Sequence, residues 1–172
     1  MEISATSVKQ LRDMTGAGMM EAKKALTEAN GDIDKAIEVL RARGAAIAAS
    51  KSDRLATNGV VATYIHNGNR VGVLVEVLVE TDFVARDPKF EEFAKQVAIH
   101  IAGMNPKYLS ADQLSEEEKA HAKDLVLLEQ PFVLDPSKTV GQLLTEQVAS
   151  FKENIQIGHF TRFELGTTPI VC

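Results

Sequence analysis

Five valines at alternate positions constrain the fold of this chain more than any other feature of its sequence. They are Val71, Val73, Val75, Val77 and Val79. In an extended strand all five side chains point to one side, so the strand has one fully apolar face. The alternation stops at Thr81, and Asp87-Pro88 then has the form of a helix N-cap followed by proline at the first helical position. The sequence therefore predicts a strand, a short connection over Thr81–Arg86 and a helix.

Phe83 lies in this connection, beside Asp82 and outside the alternation of the strand. Two interpretations are open: the ring is either a plug for the local core or a probe for a partner molecule. Spacing alone favours the plug, because most aromatic side chains near strand ends are buried.

The neighbouring segments supply a second strand and a cover for the valine face. Gly59–His66 is predicted to be a strand, and Asn67-Gly68-Asn69 predicts a hairpin turn because Asn and Gly accept positive φ. After Pro88 the apolar residues recur with the period of a helix that lies on a sheet. These residues are Phe90, Phe93, Ala94, Val97 and Ile101.

The following segments are predicted to return to the sheet. Pro106–Lys123 is polar, with a capping signal for a short exposed helix, and Gln130–Val133 is predicted to be a loop. Ser137 or Thr139 opens a further helix, and the chain finishes as a strand over residues 154–165. One face of that strand is predicted to hold Ile155, Ile157, Phe163 and Leu165.

Three short helices are predicted before the sheet. Ser7 caps the first helix, which ends at the glycines after Thr15. Its apolar stripe consists of Val8, Leu11 and Met14. The second helix is predicted over Met19–Ala29. Asp32 caps the third helix, and Gly44 closes it.

Strands joined by a hairpin, then helices, then a returning strand indicate an α+β fold with an antiparallel sheet rather than alternating βαβ units. We expect a three-helix bundle over residues 1–44, an α+β core over residues 59–166 and a tail over residues 167–172. Residues 45–58 are small and polar, so we expect a linker there, with helix as an open alternative.

Composition and charge exclude several classes of function. The net charge is −5, and the acidic excess lies after Ala56, where there are ten Lys and Arg against sixteen Asp and Glu. Such a chain is a poor candidate for nucleic-acid binding, since phosphate neutralisation supplies most of that affinity. Without an apolar run of about 20 residues or a leader, we expect no membrane association and a cytoplasmic location. Cys172 is the single cysteine, and we expect dimerisation not to depend on it.

The sequence contains no catalytic constellation. The four histidines lack the spacing of a metal site, so we expect structural roles for them, no metal and no cofactor. Gly16-Ala17-Gly18 precedes a helix and lacks the lysine of a nucleotide loop, so it predicts a turn. Glu76 and Glu80 on one strand face indicate a solvated pair rather than a hydrolytic couple. We therefore predict that the chain is not an enzyme.

Two features suit contact with a protein partner, namely Met19-Met20 at the start of a helix and the connection Thr81–Val84. Methionine forms adaptable contact surfaces, although paired methionines in a small bundle are more often core residues.

Several motifs, in order along nearly the whole chain, resemble those of the bacterial elongation factor Ts family. They are Val8–Arg12 with Thr15–Met20, Lys23–Leu26, Thr81–Arg86, Leu128–Val133 and Arg162–Gly166. The resemblance implies a guanine-nucleotide exchange factor for elongation factor Tu. Such a factor promotes GDP release by disturbing the Mg²⁺ and phosphate site of its partner.

The resemblance also implies roles for individual residues. The loop that intrudes beside the partner's Mg²⁺ site would consist of Thr81, Asp82, Phe83 and Val84. The N-terminal bundle would be a ubiquitin-associated-like domain that docks on the GTPase domain of the partner. Its docking residues would be Gly16, Met19, Met20 and Lys23. His66, in the hairpin before Arg70, would lie at the exchange interface.

The chain departs from the family pattern in two places. Only His121-Ala122-Lys123-Asp124 stands where the family carries a further helical stretch, and many relatives continue after Gly166 into another helical module. A single strand–loop–helix core resembles the short form of the family, which acts as a homodimer. We therefore expect a homodimer and a 2:2 complex with the partner.

Two rival functions explain less of this sequence than an exchange factor does. A ubiquitin-like-binding adaptor would use residues 1–44 and leave residues 59–165 without a role. A small enzyme working at Glu76 and Glu80 would lack a nucleophile, a metal and a phosphate loop.

Overall fold

The computed structural model describes residues 3–167, apart from the side chains of residues 121 and 122. Cys172 and most of the predicted tail lie outside the described residues. The fold is α+β with an antiparallel sheet, which confirms the predicted class. The chain divides into two compact units. One unit contains the residues up to Asp53 and Thr145–Glu153, and the other contains Arg54–Leu144 and the residues from Asn154 onward.

The described elements are numbered in chain order. The α-helices are α1 (Ala5–Thr15), α2 (Met19–Glu28), α3 (Ile33–Lys51), α4 (Asp82–Ala85), α5 (Pro88–Met104), α6 (Ala122–Leu125) and α7 (Val140–Phe151). The strands are β1 (Asn58–His66), β2 (Val71–Val79), β3 (Pro131–Phe132), β4 (Asp135–Thr139) and β5 (Ile155–Glu164). Short 3₁₀ turns span Ala111–Gln113, Glu118–His121 and Leu127–Glu129. Within the described residues, no helix has both the length and the apolar character needed to cross a membrane.

The first unit is a bundle with an apolar core of its own. The core contains Val8, Leu11, Ala22, Ala25, Leu26, Ala29 and Ala36. The predicted cap of α1 is wrong by one turn, because Ser4 and not Ser7 caps it. Ser4 Oγ accepts the N–H of Ser7 at 3.0 Å, and capped N–H groups lie two or three residues inside a helix. Asp32 caps α3 as predicted, through the N–H of Lys35 at 3.1 Å.

The sequence predicts that α3 ends at Gly44, but the helix continues to Lys51. A Cβ atom at Gly44 would lie 3.6 Å from Ala149 Cβ and 3.8 Å from a methyl carbon of Thr145. The glycine therefore allows side chains of α7 to approach α3 closely and is not a helix stop. Consequently the first half of the predicted linker is helical.

The second unit contains a three-stranded antiparallel sheet in the order β1-β2-β5. All five valines of β2 are buried on one face, as predicted. Helix α5 begins after an Asp87 N-cap, and its whole apolar stripe is buried. Contacts of α5 with β1 and β2 explain how the valine face is covered.

The last strand contradicts the prediction of one shared face for Ile155, Ile157, Phe163 and Leu165. The two isoleucines are buried, whereas the other two side chains are each 57% exposed. Val77 pairs with Ile157 and Val75 pairs with Phe160, so β5 contains one residue more than β2 between these pairs. This β-bulge reverses the side to which the following residues point.

The prediction of a loop over residues 130–133 is wrong, because Pro131–Phe132 forms β3. This strand pairs with β4 in a two-stranded hairpin. Gln130 Oε1 lies 2.9 Å from Nε2 of the buried His100, and His100 Nδ1 accepts the N–H of Val133 at 3.2 Å. The hairpin is thus fixed by a residue of α5 that is thirty positions away. Of the two candidate caps of α7, Thr139 is the one used, since its Oγ1 accepts the N–H of Gln142 at 3.1 Å.

Candidate partner-binding surfaces

The connection after β2 is one turn of helix rather than an irregular loop. Thr81 Oγ1 accepts the N–H of Val84 at 3.3 Å and so caps α4. The side chains of Val84 and Ala85 are buried. A helix of four residues is not stable alone, so this turn depends on its cap and on these two anchors. We call Thr81, Asp82, Phe83 and Val84 the Phe83 turn.

The Phe83 side chain projects from this turn into solvent, with 81% of its surface exposed. The interpretation of this ring as a core plug is therefore wrong. A large apolar ring held in water on an otherwise anchored turn is typical of a contact residue. The surface around it forms a depression lined by Asp82, Phe83, Arg86, Asp87 and Pro88.

Asp82 has a cationic neighbour that the sequence reasoning did not select. Its Oδ2 lies 3.1 Å from Nη2 of Arg86, four residues later, and both side chains are well exposed. Exposed pairs of this kind contribute little to stability, so both groups remain available to a partner. The spacing of four residues was the signal that could have identified Arg86.

The turn between α1 and α2 presents the second candidate surface. Gly16 has a φ of 70° and donates its N–H to the carbonyl of Arg12 at 2.8 Å, which ends α1. Helix α2 then starts at Met19. Met19 is 59% exposed and Met20 is 65% exposed, so the interpretation of this pair as core residues is wrong. Lys23, one turn later, is exposed as well.

A depression on the bundle lies next to these methionines. It is lined by Met20, Lys23, Lys24, Thr27, Glu28 and Arg43. Arg43 of α3 pairs with Glu28 of α2 at 2.5 Å, which fixes one wall of the depression. Met14 is also exposed, although the helical spacing assigned it to the buried stripe of α1. Its place at the end of that stripe is the one sequence feature that agrees with its exposure.

His66 is the last residue of β1 and is exposed. The turn that follows it contains three consecutive residues of positive φ, with values of 52° at Asn67, 60° at Gly68 and 67° at Asn69. Tyr64, two residues earlier, has its hydroxyl oxygen 3.0 Å from Nδ1 of His66. His66 is therefore held at the tip of a well-defined hairpin.

The structure does not bring His66 and the Phe83 turn together. His66 pairs with Val71 at one end of the β1–β2 hairpin, and the Phe83 turn follows Val79 at the other end. The two ends are eight residue steps apart along β2, which corresponds to about 26 Å. A single small site cannot include both.

The geometry of Glu76 and Glu80 does not support the rival enzyme site. Glu80 lies 3.4 Å from Arg54 Nη1 and accepts the N–H of Asn154 at 2.6 Å. Glu76 accepts the N–H of His159 at 3.4 Å, beside the β-bulge. Both carboxylates thus fasten neighbouring segments. Among residues 3–167, no group of three or more His, Cys, Asp or Glu side chains is placed to hold a metal ion.

Comparison with known proteins gives concordant matches. A family model described as Elongation factor TS matches residues 1–123 and 118–167. Elongation factor Ts of Acetivibrio thermocellus is 48% identical over 194 positions, which cover 95% of this chain and 90% of the relative. The same factor of Alkaliphilus oremlandii is 48% identical, with 96% and 90% covered. That of Caldanaerobacter subterraneus subsp. tengcongensis is 45% identical, with 95% and 97% covered.

These matches define the class of the protein as a bacterial translation elongation factor. Within that class, the chain belongs to the elongation factor Ts family.

The alignments with these relatives contain positions that have no counterpart in this chain. The alignments span 194 or 196 positions, whereas the chain has 172 residues, so the relatives contain positions without a counterpart here. The two parts of the family match overlap at residues 118–123, where the chain forms the 3₁₀ turn Glu118–His121 before α6. This position agrees with the shortened segment inferred from the motifs.

Proposed function

We propose that this protein is the guanine-nucleotide exchange factor for elongation factor Tu and promotes GDP release by disturbing the Mg²⁺ and phosphate site of that GTPase. The observation that carries the proposal is the exposure of Phe83 on a capped and anchored helical turn. Family membership supports the choice of partner.

The proposed mechanism is a coupling between two ligands of the partner. A partner conformation that accepts the Phe83 ring must hold Mg²⁺ and GDP less well, because a wedge stabilises only the state with which it makes more contacts. By reciprocity, GDP must weaken the binding of this protein to the same degree. The factor is therefore released when a nucleotide rebinds and is not itself an enzyme that transforms a substrate.

Each residue of the Phe83 turn has a separate part in this proposal. Phe83 supplies the wedge, and Asp82 supplies a polar contact beside the Mg²⁺ site. Thr81 and Val84 hold the turn from its two sides, through the cap and through burial. Rigid presentation matters because ordering a flexible loop on binding would reduce the affinity.

The bundle and the hairpin tip are proposed as additional contacts. Residues 1–44 would dock on the GTPase domain through Gly16, Met19, Met20 and Lys23, and His66 would contact the partner separately. Exposed methionines next to a lysine suit an adaptable surface. We propose that the protein acts in the cytoplasm without a metal, a cofactor, nucleic acid or a membrane.

The proposal is tested by measuring release of labelled GDP from elongation factor Tu in the presence of catalytic amounts of the protein. Phe83→Ala should reduce stimulated release at least tenfold. Its free energy of unfolding should change by much less than the roughly 3–5 kcal/mol expected for truncating a buried phenylalanine.

Leu55→Ala is the matched control, since Leu55 is an exposed apolar residue of the same unit, at 79% exposure, outside the proposed surfaces. It should keep the stimulation of the wild type. Large destabilisation of Phe83→Ala together with unimpaired release by the folded fraction would contradict the proposal.

We further propose that a second copy of the chain covers the face of the sheet opposite the valines. This outer face carries the exposed apolar residues Val61, Ile65, Leu74 and Phe163. Ile65 and Phe163 both pair with Gly72, so they flank it on neighbouring strands. Cδ1 of Ile65 lies over Gly72, 3.3 Å from where a Cβ would be, which makes the face continuous.

A homodimer is the occupant best supported for this outer face. Contiguous apolar surface on three strands is unusual on a monomer and suits an isologous contact, in which the same patch serves both subunits. The single strand–loop–helix core agrees with a dimer that binds two partners.

A further inference from the structure

We propose that Tyr64 is a positioning residue for His66. Its hydroxyl donates a hydrogen bond to Nδ1 of His66, keeps the proton of the neutral imidazole on Nε2 and so presents an N–H donor to an acceptor oxygen of the GTPase partner. The inference rests on the proposed function in one respect, namely that His66 contacts that partner.

The two side chains are neighbours because they occupy alternate positions of β1 and therefore point to the same side. The hydroxyl oxygen of Tyr64 lies 3.0 Å from Nδ1 of His66, within hydrogen-bond distance. The ring centroids are 5.7 Å apart with an angle of 31° between the planes. Contact between the rings thus restricts the imidazole in addition to the hydrogen bond.

The hydrogen bond decides which group the imidazole offers to a partner. A neutral imidazole has one N–H donor and one acceptor nitrogen, and the partner of one nitrogen determines the state of the other. If the phenol donates to Nδ1, Nε2 carries the proton and is a donor. If Nδ1 donated to the phenol oxygen, Nε2 would be an acceptor. We assign the first arrangement because a phenol is the stronger donor of the two groups, its oxygen lone pair being delocalised into the ring.

The backbone around the pair makes this presentation rigid. His66 pairs with Val71 across the hairpin, and the turn between them holds three residues in the left-handed region. A donor fixed in direction loses little conformational entropy when it meets its acceptor. Tyr64 would therefore contribute to recognition without itself touching the partner.

The first test examines the imidazole alone. Long-range ¹H–¹⁵N spectra of the ¹⁵N-labelled protein at about pH 9, where imidazole is neutral, distinguish the two tautomers. The wild type should show His66 with its proton on Nε2, and Tyr64→Phe should show a mixture of both tautomers. A wild-type His66 with its proton on Nδ1 would overturn the assignment.

The second test separates positioning from structural effects by kinetics. Tyr64→Phe should raise the concentration of elongation factor Tu·GDP at half-maximal rate, the KM, about five- to tenfold, because one hydrogen bond becomes poorly aligned. The kcat should not change. Tyr108→Phe is the matched control, since Tyr108 is the other tyrosine and its hydroxyl bonds Glu118 at 2.8 Å, outside the hairpin. An unchanged KM for folded Tyr64→Phe would overturn the proposal.

The third test asks which nitrogen meets the partner. The amide nitrogen of glutamine reaches the position of Nε2, whereas that of asparagine reaches the position of Nδ1. His66→Gln should therefore retain most of the affinity and His66→Asn should lose it. Retention by His66→Asn with loss by His66→Gln would contradict the proposal. If the wild type failed to stimulate GDP release at all, the proposed function would fail, while the tautomer measurement would still decide the role of Tyr64.

Discussion

His100 is fully buried, and both of its ring nitrogens have partners. Nε2 bonds Gln130 at 2.9 Å and Nδ1 accepts the N–H of Val133 at 3.2 Å, while the ring stacks on Phe132. A proton on Nδ1 would break the bond to Val133. Burial lowers the pKa of His100 below its usual 6.5, because the charged form loses its hydration, although the bond to Gln130 acts in the opposite direction.

The lowered pKa predicts a loss of stability in mild acid. Since the folded state binds this proton more weakly than the unfolded state, the contribution of His100 is complete above about pH 6.5 and is lost as the pH falls towards the lower folded value. We expect the free energy of unfolding in urea to fall as the pH is lowered below about 6.5. His100→Gln should be less stable than the wild type by about 1–3 kcal/mol at pH 8, with a flatter profile.

The control for this pH profile is His159→Gln, which changes a fully exposed histidine. It should keep the slope of the wild type. A flattened profile for His159→Gln, with an unchanged one for His100→Gln, would show that another group controls the acid sensitivity.

At the scale of elements, Gly59 determines how closely β1 approaches β2. Its φ is 152°, and a Cβ atom there would collide with the carbonyl oxygen of Val77 and approach Cα of Leu78 to 2.9 Å. Gly59→Ala should therefore destabilise the protein by about 3 kcal/mol, through strain and backbone displacement. Gly68→Ala, with a φ of 60° and no atom within 4 Å, should cost only about 1 kcal/mol. Equal losses in urea denaturation would show that contact with β2 is unimportant.

Patterns within one element predicted the structure well, and patterns that depend on another element did not. The valine alternation, the hairpin turn and the stripe of α5 were correct because each is a local periodicity that one buried face imposes. The sequence could not reveal the bulge in β5, since an extra residue is visible only against the register of β2. Likewise, the sequence alone predicts a helix end at Gly44, because it does not show that Ala149 of α7 lies beside this glycine.

In the candidate site, too, features within one element were predicted and features that depend on packing were not. Asp87 and Pro88 predicted where α5 begins, and the break in alternation placed Phe83 outside the strand. Spacing could not decide whether the ring was buried, because this depends on which face of a four-residue helix meets the core. Met19 and Met20 were ambiguous for the same reason.

At the scale of the whole molecule, the proposed homodimer predicts a concentration-dependent mass. Ile65→Glu places a charge on the outer face and should produce a monomer in sedimentation equilibrium, because an unpaired charge cannot be buried between subunits at low cost. Leu55→Glu, at an exposed apolar position outside that face, should leave the dimer intact.

Cys172→Ser should have the mass of the wild type with and without reductant. A dimer seen only with oxidised Cys172, or one that persists in Ile65→Glu, would contradict this interface.

The β-sheet joins segments that emerge from synthesis at very different times. Strands β1 and β2 and helix α5 are close in the chain, whereas β5 reaches β2 from roughly eighty residues further along. Until β5 pairs with it, the central strand β2 has one open edge. That edge presents unpaired N–H and C=O groups beside an apolar face. A chain that stops at Glu153 should therefore scatter light and aggregate during refolding at concentrations where the full chain stays clear. In this protein β5 is also the strand that covers the open edge of β2 against other copies of the chain.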